Sequence, residues 1–206
     1  MTVNEVRMST TAAALERFIA RYLASFPTLY EPFDRDWRSP CEIGEPLDHE
    51  GKRVVAWRPS RRHGGDDFAG LERALEIEVH PDVKAYYGAF WSGGLEATAD
   101  EGHVSLILLW NPQDVDRLVE NLIGHALAKR RARTPFTTFF ACTEPESDLF
   151  LSVDNATGTV VLEHPGSKPK REVAKSIAEF LDRLTPAAPD LHPDRRGALL
   201  EVSRGS

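Results

Sequence analysis

Val119-Glu120-Asn121-Leu122-Ile123-Gly124-His125-Ala126-Leu127-Ala128-Lys129-Arg130-Arg131 lies near the middle of the 206-residue chain. It continues a run in which Val115, Leu118, Val119, Leu122, Ile123 and Ala126 fall on one stripe of a helix. Asn111 supplies an N-cap, Pro112 suits the first turn, and Asp114 stands near the positive end of the helix dipole. Lys129, Arg130, Arg131 and Arg133 fall at the opposite end, where the dipole favours cations. They read as a solvated helix terminus in preference to a nucleic-acid patch. Gly124 costs a helix interior about 1 kcal/mol relative to alanine, which implies close packing against another element. His125 borders the stripe and reads as a hydrogen-bonded helix histidine.

Outward from this helix the pattern alternates between periods. A first helix is expected over 10–25, with Leu15, Phe18, Ile19, Tyr22 and Leu23 at helical spacing. Residues 27–51 hold four prolines and little periodicity, and read as a long loop. Val54 to Trp57 is a short strand. A helical turn over Leu71–Leu75 should lead into a strand in which Leu75, Ile77 and Val79 face inward and Glu76 and Glu78 outward. Pro81 opens a short helix, Ser92 to Gly94 make a turn, and strands are expected over 95–98 and 103–110. Three more follow over 136–142, 149–153 and 159–163, the last two joined by Asn155-Ala156-Thr157-Gly158. A closing helix over 171–184 buries Val173, Ile177, Phe180, Leu181 and Leu184, and beyond Pro186 the chain is expected to fray. Strands flanked by helices without regular β-α-β alternation define a single α+β domain with a mixed or antiparallel sheet over 9–185. Residues 1–8 read as an N-terminal extension and 186–206 as a disordered tail.

The composition narrows function mostly by exclusion. A net charge of −7 argues against nucleic acid and against direct docking on anionic lipid. No signal peptide opens the chain, and no apolar run is long enough to span a bilayer, so a cytoplasmic location is expected. Seven scattered histidines and two cysteines form no metal spacing, and Gly64-Gly65 and Gly93-Gly94 lack the pattern of a phosphate loop. Cys41 reads as a structural thiol, and Trp57, Trp91 and Trp110 as core. No catalytic residue, cofactor, metal or small-molecule substrate is therefore assigned. From Asp66 to Glu101 nine acids face only Arg73 and Lys84, an electronegative stretch suited to a basic partner.

Four blocks occur in the order and spacing of a known family. They are Ser39-Pro40-Cys41, Leu71-Glu72-Arg73-Ala74 running on to His80-Pro81, Glu120-Asn121-Leu122-Ile123-Gly124-His125, and Ala178-Glu179-Phe180-Leu181. Together they resemble the Syd family, bacterial SecY-interacting proteins within the SUKH (SMI1/KNR4-like) superfamily, over about residues 15–185. The Glu-Asn-Leu-Ile-Gly-His block is the specific one. The resemblance implies an α+β fold with a concave acidic face, no enzymatic activity, and binding to cytosolic loops of the SecY translocation channel. It implies a peripheral place on the cytoplasmic side of the inner membrane, reached through that protein partner, and a role in monitoring channel assembly. The acidic groove is assigned to Glu72, Glu76, Glu78, Glu96, Asp100 and Glu101. Leu122, Ile123 and Gly124 are framework, and Glu120 is a weaker candidate for contact. The alternative within the superfamily is an immunity protein that neutralises a toxin by direct binding. The arginine-bearing loop Arg58 to Arg62 and the tail past Pro186 have no counterpart in the family pattern.

Overall fold

A computed structural model describes residues 10–63, 67–100, 102–144 and 147–189. Helix α1 (Thr10–Ser25) buries Ala14, Leu15, Phe18, Ile19 and Tyr22, the stripe its spacing demands. Segment 27–51, expected to be loop, instead holds two strands, β1 (Leu29–Pro32) and β2 (Glu42–His49), which flank β3 (Lys52–Trp57) in a small sheet of order β1-β3-β2. The periodicity was invisible because β2 lies at an edge with no buried residue, so nothing selects apolar side chains at alternate positions. β4 (Ser60–Arg61) and β5 (Phe90–Trp91) make a two-residue pairing, and between them in the chain come two helices, α2 (Ala69–Leu75) and α3 (Pro81–Ala89).

The strand expected over 75–79 does not form. Glu76 takes a left-handed conformation (φ 55°) as the C-cap of α2, and the chain turns back over the helix. The Glu72 carboxylate accepts from the Val79 amide at 2.8 Å, and the Glu72 carbonyl accepts from Ile77 at 3.2 Å. Those bonds take the donors a neighbouring strand would have used. Leu75 and Val79 are nevertheless buried and Glu76 and Glu78 exposed, as the alternation required.

The main sheet has seven strands in the order β11-β10-β9-β8-β7-β6-β12 and is antiparallel throughout. Its members are β6 (Leu95–Ala99), β7 (Gly102–Leu106), β8 (Thr137–Cys142), β9 (Phe150–Asp154), β10 (Val160–Glu163), β11 (Arg171–Ala174) and β12 (Thr185–Pro186). The closing helix expected over 171–184 is thus split. Its first residues pair with β10, and Ser176, whose hydroxyl accepts from Glu179 N at 3.1 Å, starts the shorter α5 (Ile177–Arg183). Ser176-x-x-Glu179 is a capping-box signature that marks this start in the sequence. Helices α1, α3 and α5 share a core with the sheet. Phe140 meets Tyr86 and Phe180 edge-on at 5.6 and 5.8 Å, and Arg17 grips Asp182 with two guanidinium nitrogens.

Helix α4 (Pro112–Arg131) connects the adjacent strands β7 and β8. Asn111 caps it through Asp114 N at 3.1 Å, as its sequence dictates. Leu118, Leu122 and Ala126 are buried, with Val115, Val119 and Ile123 packed against the core at the margins. Lys129 departs from expectation: it is not solvated but 1% exposed, its ammonium paired with the fully buried Glu163 carboxylate and donating to Ser167 O at 2.7 Å. Thr137 donates to the other Glu163 oxygen at 2.6 Å. Its hydroxyl has one proton, so it accepts from His125 Nε2–H at 2.9 Å, which fixes that tautomer of a neutral imidazole.

Burial, reinforced by the Lys129 ammonium and opposed by Glu163, depresses the His125 pKa to about 4. A folded-state pKa below the ordinary value near 6.5 means that the unfolded chain binds the extra proton. The stabilisation from a neutral His125 is therefore complete above about pH 6.5 and lost as pH falls toward 4, amounting to about 3 kcal/mol. Urea denaturation across that window should show the loss in the native chain and a flatter profile in His125→Gln. Gly124, expected to be a packing contact, is exposed, and no other element comes within 4 Å of where a Cβ would stand. Gly124→Ala should therefore raise unfolding stability by about 1 kcal/mol, measured by the same denaturation.

Candidate partner-binding surface

The six acids assigned to a groove meet different fates. Glu72, on α2, accepts from Lys84 Nζ at 2.6 Å as well as from Val79 N. Those hydrogen bonds, Lys84 first, hold its carboxyl below the ordinary carboxylate range. Glu96, on β6, is only 4% exposed. One of its oxygens lies 2.6 Å from His103 Nε2 and the other accepts from Ser105 Oγ at 2.9 Å. Ser105 is its direct cross-strand neighbour on β7, so the register itself delivers the second partner. Glu76, Glu78 and Asp100 are exposed. Glu101, and Asp66 of the surrounding acidic stretch, lie outside the described residues.

The exposed three do not share one position on the sheet. Glu78 is held near the start of β8, because Asn155 bonds the Glu78 carbonyl at 2.8 Å while the Asn155 amide donates to Phe136 O. Asp100 occupies the β6–β7 turn, where the His103 amide donates to Glu144, two residues beyond the end of β8. Six strand residues separate these ends, roughly 17 Å at 3.3–3.4 Å per residue. Glu76 also has a cation beside it, since Arg130 donates to the carbonyl of the preceding Leu75. The sequence could not foresee this, because Arg130 is 54 positions further on.

Other side chains serve the framework. Cys41 is 2% exposed against Ser39 Oγ at 2.8 Å, and burial pushes its thiol up to about 12, so it is no nucleophile at neutral pH. Trp57 and Trp110 pack edge-on in the core at 5.6 Å, whereas the half-buried Trp91 carries the Arg62 guanidinium 3.9 Å above its ring. Among the described residues no group of His, Cys, Asp and Glu side chains is placed to hold a metal ion. Three large apolar side chains are exposed among those residues: Ile43, Leu47 and Leu127. The first two lie on β2, within the segment whose strand character the sequence concealed.

The fold and these turns define a single-domain α+β protein built around a main seven-stranded antiparallel sheet, with charged groups presented at its connections. The chain belongs to the Syd protein family (SUKH-2), whose model matches residues 12–186. It is similar to Protein Syd of Pseudoalteromonas atlantica, with 38% identity over 186 residues covering 88% of this chain and 99% of the relative. It is also similar to Protein Syd of Colwellia psychrerythraea, 40% identical over 74% of this chain and 78% of the relative. For Protein Syd of Hahella chejuensis the identity is 40% over 75% of this chain and 80% of the relative.

Burial separates the acids into framework and surface, and stability reads the difference. Glu96→Ala leaves His103 and Ser105 without their acceptor and should cost about 1–3 kcal/mol. Glu78→Lys, at an exposed position, should change stability by no more than about 0.5 kcal/mol. Paired thermal and urea melts of the two variants check both expectations.

Proposed function

We propose that the chain is a SecY-interacting protein that binds basic cytosolic loops of the SecY translocation channel at the cytoplasmic face of the inner membrane. The observation that carries the reading is membership in the Syd family over residues 12–186, on a chain of net charge −7. Cytoplasmic loops of membrane proteins carry an excess of lysine and arginine. An acidic protein is repelled by anionic lipid and attracted to those loops, so it reaches the membrane where a channel presents them. Among the described residues no helix is long and apolar enough to cross a membrane, in keeping with attachment through a protein partner.

Of the acids first assigned to the groove, the exposed Glu76, Glu78 and Asp100 are the ones available to a partner, with Glu101 adjoining Asp100 in sequence. Glu72 and Glu96 shape the framework that presents them, since their oxygens are engaged internally. Attraction through exposed charge gives fast, reversible docking, suited to a factor that inspects channel assembly rather than one that stays bound. The role requires no catalytic group.

Binding to inverted inner-membrane vesicles, with and without excess SecY and across a salt series, tests the reading. Binding should rise with SecY and fall with salt, because screening shortens the reach of exposed charge to about 8 Å at physiological ionic strength. Glu76→Lys/Glu78→Lys should weaken it at low salt and flatten the salt dependence. Binding indifferent to SecY would overturn the assignment.

A further inference from the structure

The β1-β3-β2 sheet carries apolar side chains on both faces, and one of them opens to solvent along β2. On one, Leu29 pairs with Trp57 and Glu31 with Val55, and Leu29, Val55 and Trp57 are all buried. On the other, the register aligns Tyr30, Ala56 and Ile43 in one row and Pro32, Val54 and Leu47 in the next. Partner residues in an antiparallel ladder project to the same side, so these rows form a single apolar face, in which Val54 is buried, Tyr30, Pro32 and Ala56 are half-buried, and the β2 side chains are open to solvent. Ile43 is 52% and Leu47 37% exposed there. The Tyr30 ring stacks on His49 with centroids 4.5 Å apart, joining the two outer strands across β3. Two aliphatic side chains held side by side in water on a framed sheet face mark an interaction surface more than scattered exposure does.

The charge around this face selects the partner. Residues 29–57 carry seven acids against four bases. Arg38 is paired with Glu42 and Arg53 with Asp48. Glu45 and Glu50 are exposed and have no ion-pair partner among the described residues. Glu45 stands in the irregularity between Ile43 and Leu47, where Gly44 takes φ +69°. An exposed acidic residue thus lies between the two aliphatic anchors along the chain.

A second copy of this chain fits poorly, because a two-fold contact centred here would bring one Glu45 toward the other. Addition of a strand along the free edge of β2 is also disfavoured, since Pro46 lacks an N–H and the irregularity interrupts the ladder. The face remains, and it matches a segment that is both aliphatic and basic. We propose that the open β2 side of this face, anchored by Ile43 and Leu47 with Glu45 between them in sequence, docks a lysine- or arginine-rich protein segment through its aliphatic side chains. The inference rests on the reading that this protein binds a basic segment, and adds where the apolar side chains of that segment go.

The test uses the full chain and two fluorescein-labelled peptides of equal charge, one alternating arginine with leucine and one alternating arginine with serine. Fluorescence anisotropy at physiological salt should show the leucine peptide binding at least about tenfold more tightly, as the burial of one or two aliphatic side chains requires. Ile43→Ser/Leu47→Ser should remove that advantage, and Glu45→Lys should weaken both peptides. Both anchors are exposed, and unchanged melting temperatures would show that the variants fold. Equal affinity for the two peptides, or indifference to the Ile43 and Leu47 changes, overturns the proposal. Loss confined to Glu76→Lys/Glu78→Lys places the basic segment at the end of α2, sparing the basic-partner reading and removing this surface. Self-association that disappears in Ile43→Ser/Leu47→Ser assigns the face to a second copy and likewise overturns it. Failure of SecY-dependent vesicle binding alongside peptide binding that responds at Ile43 and Leu47 removes the SecY reading and keeps the surface.

Discussion

One buried ion pair ties the longest helix to the sheet. Lys129 and Glu163 lie 34 residues apart in sequence and are both withdrawn from water. Isolated charges in that environment would each cost several kcal/mol, so the arrangement depends on further hydrogen bonds to both partners. Ser167 O takes a second ammonium proton, and Thr137 fills the second carboxylate oxygen while receiving the imidazole proton of His125. Such a cluster contributes little net stability compared with an apolar substitute, but removing one partner of it costs about 3–5 kcal/mol. A helix sliding by one turn would strand a lysine or a glutamate in the core. The apolar stripe of α4 faces the core, and the ionic cluster joins its last turns to β10.

The same competition between solvation and pairing sorts the acids of the proposed interface. Glu96 stands opposite Ser105 in the β6–β7 register, with His103 alongside, and becomes interior. Glu72 holds down the turn that ends α2. Carboxylates engaged in this way shape the surface without projecting much field from it. Those at turns and caps, such as Glu76, Glu78 and Asp100, keep their full exposure. The small sheet at residues 29–57 adds aliphatic side chains to acidic charge, a combination that recognises more than sign. Charge draws a basic partner in over nanometre distances, and apolar contact discriminates among the segments that arrive.

Much of the fold was legible because its signals are local. The α1 and α4 stripes, the Asn111 cap, Pro81 and Pro112 at helix starts, and the turn between β9 and β10 depend on side chains within a few positions of one another. Local signals failed where a segment had no single buried face or where two readings shared one pattern. The edge strand β2 shows no alternation because it buries neither face. The 75–79 stretch alternates as a strand would, yet the Glu72 carboxylate captures the Val79 amide and the chain folds onto α2. Residues 171–174 share apolar spacing with the helix that follows, and only pairing with β10 decides that they are extended.

The family blocks pointed to a partner without saying which atoms meet it. From the sequence alone came the α+β class, the principal helices, the acidic balance and the Syd resemblance, all carried by residue identity or short-range spacing. Tertiary structure alone decided that Lys129 is interior, that Glu96 is engaged within the framework, that Gly124 is open to solvent, and that Ile43 and Leu47 stand on the same side of an exposed edge strand. The physical reason is common to all four. Burial depends on residues brought together from distant parts of the chain, and the cost of leaving a charge or an aliphatic group in a given place is known only once its neighbours are in position.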